Sequence, residues 1–364
     1  MNPVNSNDTG CVAIGASASA VGAQSISMGQ QSETLSGQSI AIGYNSKSTN
    51  SKAVSMGHNS SASGENSTSI GPGSSAQGKY SISIGNGSVA SGSYSIAIGN
   101  PSGSNPQTVS TQAGCVSIGA STSAVASQAV AIGQEANVLS GSSIAIGLSS
   151  ESSSVKSVSV GKLSKTSGDS SVAVGDESSA SGSKSVSIGC KSSSTAANTV
   201  SIGYLSNSSA KGCVSMGLSS VSSKQQSTAI GQGAYASGDF SSAIGTQTSA
   251  TNTLATAIGE RCTASGDRSI AIGGYGTGAS EVSIEATGQY SCAIGFGAKA
   301  TAKSAFQLGN GTNSQQGSLQ FGNTRIVDKN GNVMSSPIGI LSAINDMTPD
   351  QKTTLKNLLA AILA

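Results

Sequence analysis

The sequence predicts an all-β solenoid built from 14-residue coils, and three observations lead there. First, a glycine follows Ile, Val or Met at a fixed interval: seven times from Gly15 to Gly99 and twelve times from Gly119 to Gly273, every step within a block being 14. A period this short makes each repeat one coil of a stack. Second, the residues before that marked glycine alternate as a strand does, as in Ser39-Ile40-Ala41-Ile42-Gly43. Third, the chain has 364 residues but no Trp, 3% aromatics and 9% charged residues, against about 25% charged in an ordinary globular domain. Richness in Gly and Ser also marks flexible linkers, but the strict apolar period argues against a linker here.

The slots of one coil have separate chemistries. Ile, Val or Met precedes the marked glycine in all nineteen repeats, and two residues earlier stands Val, Ile, Thr or, once, Ser242. Between them sits Ala or Ser every time. The glycine permits a turn at positive φ, and a second short strand of the form Ser60-Ser61-Ala62-Ser63 follows, often closed by another glycine such as Gly64. Each coil therefore holds two short strands and two tight turns. A tube of 14 residues per turn is narrow, so Ala and Ser inside with Ile and Val outside is the favoured arrangement, the alternative being Ile and Val inside the tube; both require association with other copies. An outward apolar ladder of that length requires burial against other copies. Stacked about 4.8 Å apart, nineteen coils would extend roughly 90 Å.

Two interruptions break the period. The step from Gly99 to Gly119 is 20 residues and includes Pro101 and Pro106, which suits a loop leaving one corner while coils continue on each side. The step from Gly273 to Gly295 is 22, with Glu285 in an expected glycine slot and the roll expected to be distorted or capped there. The organisation read from these breaks is a short tail (1–9), a first roll block (10–99), a loop insertion (100–113), a second block (114–275), an irregular roll end (276–309), a β-rich segment without repeats (310–345) and a C-terminal helix (346–364). In that helix Thr348 is the N-cap, Pro349 takes N1 and Gln351 completes a capping box. Leu355, Leu358, Leu359, Ile362 and Leu363 form one apolar stripe. The stripe suits packing on the helix's own domain, or a three-helix bundle or plug that anchors and registers a trimer.

Chemistry is sparse. Net charge is +2 without a basic block, so neither nucleic acid nor an anionic membrane is indicated as a partner. No run of 18 apolar residues suggests membrane insertion, and the N-terminus lacks the pattern of a secretory signal. The six cysteines lie several coils apart; Cys11, Cys115 and Cys213 share one slot, and all read as small free thiols. With one histidine, His58, expected to be solvated, and scattered carboxylates, no catalytic, cofactor or metal constellation arises. One column accepts large side chains: five residues before the marked glycine stand Tyr80, Tyr94, Phe240 and Tyr290, among Lys, Arg, Gln and Asn in other coils. Those aromatics are candidates for contact with a surface glycan or protein.

The consensus S-[IV]-A-I-G-x-x-S-x-A-x-G resembles the head repeat of trimeric autotransporter adhesins, the YadA-like head, over about residues 10–275, with weaker copies to 309. The resemblance implies a left-handed parallel β-roll solenoid, a homotrimeric fibre, here with a small C-terminal β/α end. Such repeats also occur in bacteriophage fibres. Lacking a signal and a C-terminal membrane-anchor barrel, the chain is expected to be a non-enzymatic fibre of a phage virion. It would be assembled in the host cytoplasm, displayed on the virion surface beside other virion proteins, and free of cofactors. The alternative is the head or passenger segment of a bacterial surface adhesin. The closest copy of the adhesins' matrix-binding strand, Asn198-Thr199-Val200-Ser201-Ile202-Gly203, is too degenerate to carry that activity over.

Overall fold

A computed structural model describes residues 5–6, 9–101, 107–274, 283–333, 344–345 and 347–363, with side chains for residues 9–358 of these, in two compact units, 1–192 and 193–364. Each unit is a parallel β-solenoid.

In the first unit a coil contributes one three-residue strand and one two-residue strand, and each pairs with its equivalent one coil on. Ile40–Ile42 lies beside Val54–Met56 with Ala41 opposite Ser55, and Lys47–Ser48 lies beside Ser61–Ala62. The 20-residue step does not disturb this register: Ile96 pairs with Val116 and Val89 with Val109. In the chain the extra residues fall between Ile96–Ile98 and Val109–Ser110; Pro101 stands two residues after the marked Gly99, and 102–106, with Pro106, lie outside the described residues.

The alternation places the small residues inside. Ala41, Ala97, Ala131 and Ala145 have no solvent exposure, nor have Ser27, Ser55, Ser69 and Ser83 in the same slot. The Ile, Val and Met on either side of that slot are half-buried or exposed, as in Ile26-Ser27-Met28. The expectation that Ala and Ser fill the tube while Ile and Val point outward holds. The interior is also wider than that slot. Residues four before, three after and five after the marked glycine point inward too, as Ser25, Ser32 and Thr34 do around Gly29.

Glycine recurs for two different reasons. Gly133 has φ 123°, and a Cβ there would stand 2.6 Å from the carbonyl oxygen of Gly147, its equivalent one coil on. Left-handed conformation and coil stacking both exclude a side chain. Gly64 needs no unusual φ; a Cβ there would collide with the Gly78 carbonyl. The turns hold two further left-handed residues that are seldom glycine, such as Asn45 (φ 49°) and Lys52 (φ 57°) in one coil.

The second unit runs by the same rule from Ser193–Ser194, paired with Asn207–Ser208, to Phe306–Leu308, paired with Leu319–Phe321. Here the structure corrects one expectation. The roll is not capped after Gly273, since Ile270 pairs with Cys292 and Cys262 with Ile284; the expected distortion would fall on 275–282, outside the described residues. Glu285 is not in a glycine slot either. It is the middle residue of Ile284–Ala286, a strand of the second column, and pairs with Lys299. The Val-Ser-Ile-Glu stretch imitates the first strand, but the preceding insertion shifts it into the other column.

The parallel column ends at a hairpin. Thr324–Val327 turns back antiparallel on Leu319–Phe321, and Val327 bridges Val333 across a turn in which Asp328 Oδ1 accepts the backbone N–H of Asn330 and Asn332. An antiparallel return covers a sheet edge that would otherwise stay open to pairing. The helix α1, Pro349–Leu363, follows. Its capping box forms as read: Gln351 Oε1 accepts the Thr348 N–H at 2.8 Å, and Thr348 Oγ1 accepts the Gln351 N–H at 3.3 Å.

Candidate interaction surfaces

The outward face of the three-residue strands is an apolar ladder in both units. In the first, Met28, Met56, Ile70, Ile118 and Ile146 lie 37–40% exposed. In the second, Met216, Ile230, Ile244 and Ile270 are comparable. Isolated exposed hydrophobics are ordinary, whereas a contiguous ladder marks a contact face.

The variable column lies at a corner, on left-handed backbone. Tyr80 and Tyr94 occupy consecutive coils of the first unit with φ 57° and 60°, their rings stacked at 5.0 Å between centroids. Lys79 Nζ lies 5.2 Å from the Tyr80 ring centre and 2.8 Å from Glu65. That ion pair lowers the Glu65 carboxyl below its usual range, through the hydrogen bond first and the charge second. In the second unit Phe240 and Tyr290 share the same column with φ 58° each. All four aromatics are exposed, from 42% for Tyr80 to 64% for Tyr94. The sequence found this column by its tolerance of large side chains. It missed the left-handed turn, because Asn and Gln, common there, are also ordinary surface residues.

Other outer positions form ladders from coil to coil. Glu33–Lys47, Glu65–Lys79, Glu151–Lys165 and Glu177–Lys191 pair at 2.8–3.8 Å in the first unit, and Glu285–Lys299 at 2.8 Å in the second, each 14 residues apart. Exposed pairs of this kind add little to stability individually. His58 is exposed, as read, and its ring stacks on Tyr44 at 5.2 Å. The cysteines form no disulfide: Cys115, Cys213 and Cys262 are buried, and Cys11, Cys190 and Cys292 are half-buried. Burial pushes the Cys292 thiol up to about 11, far from reactive at neutral pH. Among the described residues no group of His, Cys, Asp and Glu can hold a metal ion, and no helix is long and apolar enough to cross a membrane.

At the end of the second unit a cleft of about 540 Å³ opens between the start of α1 and the last coils, floored by Ile294, Phe296, Leu308 and Phe321 and flanked by Met347, Gln351 and Leu355. Leu355 and Leu358 are half-buried; Leu359, Ile362 and Leu363 lie outside the described side chains.

The YadA head domain repeat model matches residues 12–32, 20–46, 36–54, 48–74, 76–100, 152–178, 167–192, 222–248, 250–275 and 286–314, together more than half the chain. No curated protein matches the chain.

Proposed function

The chain belongs to the YadA head-repeat family, and from that premise we propose that it is a non-enzymatic, homotrimeric fibre on the surface of a bacteriophage virion, contacting the host and assembled with other virion proteins. The repeat is a structural adhesin fold, which supports a surface-contact role over catalysis. The observation that carries the trimer is the half-exposed Ile/Val/Met ladder. The tube is filled by Ala and Ser, so the bulky apolar side chains of each coil are those outside it, and neighbouring copies are their natural cover. Two half-buried cysteines outside any disulfide, Cys190 and Cys292, suit assembly in a reducing cytoplasm.

The second reading, a head segment of a bacterial surface adhesin, rests on the family match itself. Proteomics of purified phage particles and of the bacterial cell surface separates the two. Recovery from particles supports the virion fibre; recovery from surface-labelled bacteria without phage overturns it. Light scattering on the purified chain reads the trimer, and a stable monomer would sink that part.

A further inference from the structure

Within the second unit, Phe240, Leu254, Arg268 and Tyr290 stand on successive rungs of the variable column. The strand residues two positions on, Ser242, Thr256, Ile270 and Cys292, pair in that order. All four have left-handed backbone, φ 54–58°, so each projects from the same corner. Phe240, Leu254 and Tyr290 are 44–47% exposed, and the Arg268 side chain is 51% exposed. Elsewhere the same slot holds glycine, at Gly114 and Gly212. Bulky side chains are disfavoured in this conformation, and strain of this kind gathers at functional positions.

Polar groups border the strip. Arg268 lies 5.4 Å from the Tyr290 ring centre, and its Nη1 donates to Tyr290 Oη at 2.8 Å. Asp267 Oδ2 is 3.6 Å from the same Nη1 and accepts from Gln289 Nε2 at 3.4 Å. Asp239 Oδ1 accepts the Gln225 backbone N–H at 3.1 Å, which fixes a second carboxylate beside Phe240.

We propose that this edge is a saccharide-binding strip that takes a polysaccharide chain of the host surface. Rings that offer an apolar face, flanked by carboxylate, guanidinium and amide groups, match a pyranose, whose apolar face is ringed by hydroxyls. A protein partner would instead be met by a compact apolar cluster with a polar rim; here Phe240, Leu254 and Tyr290 follow one another singly along one column. At about 4.8 Å per rung, Phe240 and Tyr290 lie about 14 Å apart, which suits several sugar units rather than one. The proposal rests on the reading of the chain as a fibre that contacts a bacterial host.

The test uses the full-length protein on immobilised bacterial capsule and lipopolysaccharide O-chains, with adhesion to the source bacteria measured in parallel. Binding to at least one polysaccharide is expected. Phe240→Ala and Tyr290→Ala should each weaken it about tenfold with unchanged melting, while Tyr44→Ala leaves it intact. Periodate oxidation of the cells should abolish adhesion. Polysaccharide binding indifferent to both substitutions overturns the strip. Adhesion that survives periodate but not protease treatment of the cells replaces the saccharide with a protein and leaves the fibre's host-contact role standing. Absence of adhesion to any host cell removes both.

Discussion

Serine hydroxyls inside the tube follow a rule of complementarity. Residues five apart face each other across the interior, and where both are serine they hydrogen-bond, as in Ser27–Ser32, Ser55–Ser60 and Ser69–Ser74, each at 2.7 Å. Among the described residues six buried serine hydroxyls make no hydrogen bond, at Ser46, Ser81, Ser95, Ser185, Ser269 and Ser291. In every case the residue five earlier is alanine. The Ala76→Ser substitution should therefore supply Ser81 with its missing partner and raise stability by about 0.5–1.5 kcal/mol. Ala62→Ser should gain less, because Ser67 already bonds the Gly64 carbonyl. Thermal or denaturant unfolding of the two variants decides it, and equal shifts would refute the pairing rule. The same interior has no room for growth. Ala145 is fully buried, whereas Ser142, three residues earlier, is exposed on left-handed backbone. Ala145→Leu is expected to cost about 1–3 kcal/mol per chain by overpacking, clearly more than Ser142→Leu. Matching melting temperatures for the pair would contradict the burial.

At the scale of elements, strands of two and three residues persist because each is a rung in a ladder whose bonds are satisfied on both sides. That explains how the roll absorbs a 22-residue step without losing register. The coil restored after that step carries Glu285, paired with Lys299. Burial alone would raise its carboxyl, but the hydrogen bonds from Lys299 and Ser283 and the lysine's charge outweigh it and hold the value below the ordinary 4.5. A carboxylate lowered by folding stabilises the folded state fully above its unfolded value and loses that contribution as pH falls through the folded one. Melting temperature should accordingly fall on acidification below about pH 4.5, and Glu285→Gln should flatten that part of the profile. An unchanged profile in the variant would show that this rung carries no linkage.

For the whole molecule the difficulty of a uniform repeat is register. Sliding one copy along another by a whole coil preserves nearly every contact of an Ile/Val/Met ladder, so in the proposed trimer the repeats cannot align the three chains by themselves. The non-repetitive residues after the last coil, with the hairpin, α1 and the apolar stripe that includes Leu355 and Leu358, are the means available. On the proposed virion-fibre reading, deleting residues 346–364 should yield out-of-register or mixed assemblies by light scattering and reduce incorporation into particles. In-register trimers that incorporate normally would move the registering element elsewhere.

The sequence by itself determined the coil, the two faces of its longer strand and the cap of α1; it only favoured the Ala/Ser face as the inner one, which burial in the folded chain decided. Each is local or strictly periodic, and alternation in a strand fixes which side chains share a face. Only the tertiary structure decided three other matters. It showed that the second glycine, as at Gly64, is required by the carbonyl of the next coil rather than by its own φ. It showed that Ile284-Glu285-Ala286 belongs to the second column; the Val-Ser-Ile-Glu motif is ambiguous until its neighbours are known. And it added Leu254 to the column of Phe240, Arg268 and Tyr290 and gave that column its left-handed backbone, where the sequence had shown only a tolerance of large side chains.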